Sequence, residues 1–183
     1  MIGIIRWAVE IGRVDILLEV SLLSSHLALP RIGHLLALYH ILWYLKQLPK
    51  RKLYFDPVSP LISEDCFHKS DWEDFYRDSK EAIPDDMTKQ RGKIMTTYCY
   101  VDANHAADKV TRRSQTGILI FCNRSPILWF RKIQNWVESS TFGSEFTSLR
   151  NAVELFTGTR YKLRMFGVPV DSPTDMFCDK EAV

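Results

Sequence analysis

The chain has 183 residues, 46% of them hydrophobic and 25% charged, with 8 Gly and 8 Pro, which is the balance of a globular chain and excludes collagen-like and low-complexity readings. That length suits one ordinary domain, or one domain with a substantial flanking piece. Lys and Arg number 24 against 22 Asp and Glu, a net charge of +2 that announces no polyanion partner, but residues 1–63 are net basic, 64–91 net acidic and 92–183 net basic again.

The first basic block reads as helical. The stretch Arg13–Leu29 is rich in apolar residues. After Pro30, which suits a first helical turn, Ile32, Leu35, Leu36, Tyr39, Leu42 and Trp43 recur at helical spacing and predict a packed stripe that stops at Pro49. His26, His34 and His40 fall here without facing one point, a pattern of packing or surface histidines. Residues 1–55 are therefore expected to form a small helical segment. Residues 56–93, punctuated by Pro57, Pro60 and Pro84 and holding the acidic stretch, read as a solvated linker. Within it Trp72, Phe75 and Tyr76 suggest a short helix docked on a neighbour.

From residue 94 the hydrophobic period changes. Thr96–Ala103, Gly117–Cys122 and Ile127–Phe130 are short β-rich runs separated by polar turns, which predicts an antiparallel meander. A helix is expected from Ser140 or Thr141 to Phe166, with Phe142, Phe146, Leu149, Val153 and Phe156 as its apolar stripe. One of Ser139–Thr141 is its N-cap, and Gly167 and Pro169 end it. Thr174–Cys178 is a last strand, and a right-handed crossover adds it parallel to the first. The fold class is α/β.

The cysteines, Cys66, Cys99, Cys122 and Cys178, form no C-x-x-C pair and no evident disulfide framework, so they read as reduced, intracellular thiols. Arg6, Glu10 and Arg13 interrupt any signal peptide, and Pro30, Arg31 and His34 break the richest apolar region, so no membrane span is expected.

Three acids occupy suggestive places. Asp102 ends the first strand, Glu145 lies in the first turn of the long helix, and Asp179 ends the last strand. Parallel neighbouring strands would bring Asp102 and Asp179 to one edge, and an inward Glu145 would join them. Converging carboxylates repel one another unless a cation is present, and hard oxygen donors suit Mg²⁺ or Mn²⁺. Each acid also has a plainer use: an Asp at a strand end serves a turn, and a Glu in the first helical turn favours the helix dipole.

The segments VDANHAAD (Val101–Asp108), RRSQTG (Arg112–Gly117), PILWFRKIQ (Pro126–Gln134), SSTFGSEF (Ser139–Phe146) and CDK (Cys178–Lys180) occur in the order and spacing of a known set of motifs. They resemble the ribonuclease H domain of copia-type LTR-retrotransposon Pol polyproteins. Residues 13–56 resemble the segment just upstream in those polyproteins, the end of the reverse transcriptase region.

The resemblance implies a ribonuclease H-like mixed sheet over residues 94–183: three antiparallel strands, a crossover helix and one parallel strand, C-terminally truncated relative to the family. It implies cleavage of the RNA strand of an RNA–DNA hybrid with two Mg²⁺ or Mn²⁺ ions. Asp102, Glu145 and Asp179 match the family's first three catalytic, metal-binding acids. Arg112, Arg113, Arg131 and Lys132 are candidate nucleic-acid contacts. Implied partners are the hybrid and the remainder of the Pol polyprotein, in the cytoplasm (virus-like particle) or the nucleus.

The chain departs from the pattern at Arg131, where the family has Ser or Thr. It departs also at Ile133, Trp136 and Lys180, and at the fourth acid, which would fall beyond Val183. On those grounds the expectation is a Pol fragment that cleaves hybrid poorly, or a non-catalytic remnant that only binds nucleic acid or a protein partner.

Overall fold

A computed structural model of the chain describes residues 1–62 and 81–179. Trp72, Phe75, Tyr76, Cys66 and Lys180 lie outside them. The first segment holds α1 (Ile2–Glu10), a 3₁₀ turn (Val14–Ile16), α2 (Leu17–Ser24) and α3 (Ile32–Gln47). The sequence predicts helix over Arg13–Leu29; the chain winds there from Val14 to Ser24, and a further helix, α1, precedes it and stops at Glu10, just ahead of Gly12, whose φ of +122° no helix continues through.

Ile5, Val9, Ile16, Val20, Leu23, Leu38 and Ile41 form the core of this segment. The expected stripe of α3 is not the buried one. Leu38 and Ile41 face inward, whereas Ile32, Leu36, Tyr39 and Trp43 are all more than half exposed. The physical reason is that α3 is apolar nearly all round, so periodicity does not single out one face.

The second segment is a four-stranded sheet in the order β3-β2-β1-β4, from β1 (Thr97–Asn104), β2 (Gln115–Cys122), β3 (Ser125–Ile133) and β4 (Asp175–Cys178). β1–β2 and β2–β3 pair antiparallel, and β4 returns parallel to β1 after α4 (Thr141–Met165). This is the mixed α/β sheet expected of a ribonuclease H-like fold, with three antiparallel strands, a crossover helix and one parallel strand.

One sheet face, carrying Cys99, Val101, Ile118 and Ile120, packs on Ala152 and Phe156 of α4. Of the five stripe residues expected on α4, Phe156 alone is buried; Phe142, Phe146 and Val153 are about half exposed. The buried side is instead lined by Ser144, Glu145, Ser148, Ala152, Thr159 and Arg160.

The other sheet face meets the N-terminal helices. Trp129 of β3 packs against their core and donates its indole N–H to the Val9 carbonyl at 3.1 Å. The described parts of residues 56–93 hold no helix or strand, and they are bonded to the β2–β3 hairpin and to the chain just after α4. The Asp56 and Pro57 carbonyls accept from Ser125 and Asn123, and the Arg91 N–H donates to the Gly167 carbonyl.

Two buried arginines of α4 fix the return to β4. Arg160 donates to the carbonyls of Val170 and Ser172 and to the Thr174 hydroxyl, each at 2.9 Å, and Arg164 adds a bond to the Val170 carbonyl at 3.1 Å. Both pair with Glu81. The strand directions therefore bring the ends of β1, β3 and β4, the β1–β2 loop and the start of α4 to one edge of the sheet.

Candidate metal centre at the sheet edge

α4 is held over that edge at its first turns. Ser140 caps it, its hydroxyl accepting from the Gly143 N–H at 3.1 Å. Behind the cap, buried Gln134 donates to the Ser144 carbonyl at 2.9 Å and to the Thr116 hydroxyl at 3.2 Å, and Thr116 and Ser148 bond at 2.8 Å. This polar knot ties β2 to α4 and aims Glu145, only 3% exposed, at the end of β4. There the Cys178 thiol donates to Glu145 Oε2 at 3.8 Å. One ligand atom each from Glu145, Cys178 and Asp179 lie within 4.8 Å of one another.

Asp102 is not in that group. Along β1, Cys99, Val101 and Ala103 are buried while Tyr100, Asp102 and Asn104 are exposed, so Asp102 projects from the face away from α4. It lines a cavity of about 590 Å³ together with Tyr100, Trp129, Arg131, Phe177 and Asp179. Asp179, at the end of the strand, thus belongs both to this cavity and to the group around Glu145.

Register explains the neighbours of Asp102. Asp102 pairs with Gly117, and Gly117 pairs with Arg131. The three residues form one row on one face, and the glycine leaves the space between the two charged side chains open. The Arg131 guanidinium donates to the Gln115 side chain, and its Nε is buried with no hydrogen-bond partner among the described residues. Burial pulls Arg131 below the ordinary arginine range, and the nearby carboxylates of Glu19 and Asp102 work against that pull.

The sequence itself has relatives. Over 167 residues, 91% of this chain, it is 24% identical to the Retrovirus-related Pol polyprotein from transposon RE1 of Arabidopsis thaliana. Over 90 residues, 49% of the chain, it is 26% identical to the Retrovirus-related Pol polyprotein from transposon RE2 of the same plant. The chain is thus similar to retrotransposon Pol polyproteins over most of its length. It spans 9% of the length of the first and 6% of the second. No protein-family model matches the chain, and no solved structure matches it.

The four candidate nucleic-acid contacts do not share one face. Arg131 and Lys132 are successive residues of β3 and project to opposite sides of the sheet. Arg112 and Arg113 are exposed on the β1–β2 loop, at the same edge as the acids. That loop is held by Asp108, whose carboxylate accepts from the Val110 and Thr111 N–H groups and the Thr111 hydroxyl, which also keeps it below the usual carboxylate range. Arg112 beside it takes a φ of +59°.

Cys178 and the Gln134–Thr116–Ser148 knot were not singled out from the sequence. The one available signal was the position of Cys178 next to Asp179. No helix among the described residues is long and apolar enough to cross a membrane.

Proposed function

We propose that this chain is a ribonuclease H-like segment of a retrotransposon Pol polyprotein that engages RNA–DNA hybrid at the acidic sheet edge and holds one divalent cation there. The observation that carries the reading is the approach of Glu145, from α4, to Asp179, at the end of the strand parallel to the one bearing Asp102. Glu145 and Asp179 are the residues that would hold Mg²⁺ or Mn²⁺. Such an ion would supply charge stabilisation and an activated water for phosphodiester hydrolysis.

The chain's own residues do the rest. Arg112 and Arg113 present two exposed cations beside the edge, suited to phosphates of an A-form backbone. Asp102 projects from the other face into a cavity that it shares with the Arg131 cation, so the acid set fits one ion better than a pair. Hybrid binding with weak cleavage is the expected activity. A purely binding role is the second reading, favoured by the same placement of Arg131. The exposed Ile4, Trp7, Leu36 and Trp43 of α1 and α3 suit cover by the remainder of the polyprotein, whose location, virus-like particle or nucleus, this segment would share.

The test is a hybrid binding and cleavage assay in Mg²⁺ and Mn²⁺ with the chain and its Asp102→Asn, Glu145→Gln and Asp179→Asn forms. Salt-sensitive hybrid binding, with slow cleavage lost in Glu145→Gln and Asp179→Asn, supports the reading. Binding that survives with no cleavage in either metal selects the non-catalytic form. Absence of hybrid binding overturns both.

A further inference from the structure

The group at the sheet edge is not made of carboxylates alone. Glu145, Cys178 and Asp179 present two kinds of donor from two elements, with ligand atoms within 4.8 Å of one another. The buried knot around Gln134 holds α4 over this edge, and Arg160 of α4 ties the segment leading into β4 to the same helix. Cys178 pairs with Val101 in the parallel ladder and so faces α4, which puts its sulfur 3.8 Å from Glu145 Oε2. Asp179 is exposed and forms the mouth.

Donor chemistry decides what such a group selects. Oxygen-only sites suit Mg²⁺ and Mn²⁺, whereas a thiolate favours softer ions. On a tetrahedral zinc ion, bonds of about 2.3 Å to sulfur and about 2.1 Å to oxygen set those donors roughly 3.6 Å apart. The Cys178–Glu145 separation of 3.8 Å is already close to that value.

We propose that Glu145, Cys178 and Asp179 form a mixed thiolate–carboxylate site for a thiophilic divalent cation of the Zn²⁺ class. Binding replaces the thiol proton, which leaves to water, by the metal–sulfur bond. The inference rests on the reading of this edge as a cation site and adds a regulation to it: Zn²⁺ competes with Mg²⁺ or Mn²⁺ for Glu145 and Asp179. The other described thiols are poor competitors. Cys99 is fully buried, its thiol pushed up to about 11 by burial, and Cys122 is buried in the same way.

The experiment titrates the full chain with Co²⁺, which reports thiolate ligation by a sulfur-to-metal charge-transfer band. One Co²⁺ per chain with that band, displaced by Zn²⁺, is expected. Cys178→Ser should abolish the band, and Asp179→Asn should weaken binding at least about tenfold, the loss of one charged ligand. In the unsubstituted chain, Zn²⁺ should slow alkylation of Cys178, mapped by mass spectrometry, about tenfold or more, which keeps the test independent of how the variant folds. No band, a band that survives Cys178→Ser, or alkylation of Cys178 unaffected by Zn²⁺ overturns the proposal. Mn²⁺ binding followed by EPR separates the two readings. Mn²⁺ bound by a chain that shows no thiolate band leaves the hydrolytic reading standing alone; a thiolate band in a chain that binds no Mn²⁺ leaves the thiophilic site alone.

Discussion

Replacing Arg160 with alanine should destabilise the protein by about 3 kcal/mol. Arg160 is 8% exposed, and its guanidinium donates to the Val170 and Ser172 carbonyls and the Thr174 hydroxyl, with an ion pair to Glu81 at 3.3 Å. After truncation the Val170 carbonyl keeps its bond from Arg164, and Thr174 keeps its partner Thr97 at 2.9 Å. The Ser172 carbonyl loses its donor. A hydrogen bond to a charged group contributes about 1.5–3 kcal/mol, and breaking a buried pair costs about 3–5 kcal/mol. The lower end applies because the Glu81 side chain is 38% exposed and retains Arg164. Arg150→Ala is the control. Its pair with Glu154 sits on the surface at 69% and 64% exposure, and its loss should cost only about 0.3–0.5 kcal/mol. Urea unfolding at neutral pH, followed by tryptophan fluorescence and far-UV circular dichroism, measures both. If Arg160→Ala proves no more costly than Arg150→Ala, the arginine does not anchor the α4–β4 return as argued.

Other consequences follow from single contacts. The hydrogen bond from Arg164, reinforced by the charge of Arg160, holds Glu81 below its ordinary value of 4.5. Its contribution to stability is therefore full above about 4.5 and is lost as pH falls through the lower folded value; the stability gap between the chain and Glu81→Gln, measured by urea unfolding at stepped pH, should close on acidification and stay constant from pH 6 to 8. Trp129→Phe removes the indole donor to the Val9 carbonyl, 3.1 Å away, and should cost about 1 kcal/mol or more in thermal or urea unfolding, because it unhooks the helical segment from the sheet. A thiol-reactive chromophore should label Cys178 well before Cys99 and Cys122, which sit inside the sheet core, as peptide mapping of early time points would show.

What the sequence made legible was period and punctuation. The meander, the crossover helix and the parallel last strand follow from β-rich apolar runs, the polar turns between them and the Gly167–Pro169 stop. The buried faces of the helices were harder to read. On α3 both sides are apolar, so Ile32, Leu36 and Trp43 look as core-like as Leu38 and Ile41. On α4 the buried side is polar: Ser144, Glu145 and Ser148 meet Gln134 and Thr116, and a search for apolar stripes passes over them.

The candidate site was legible by resemblance as three acids. Strand parity separates them: Asp102 sits one residue from Val101, which faces α4, and so projects the other way. The alignment of Asp102 with Arg131 across Gly117 depends on register over three strands, which no local motif encodes.

The most direct test of the account is the stoichiometry of Mn²⁺ binding, measured by EPR or titration calorimetry on the full chain and its three acid variants. One Mn²⁺ per chain is predicted, lost in Glu145→Gln and Asp179→Asn and kept in Asp102→Asn. Two ions per chain, or binding that depends on Asp102 as strongly as on Glu145, would contradict it.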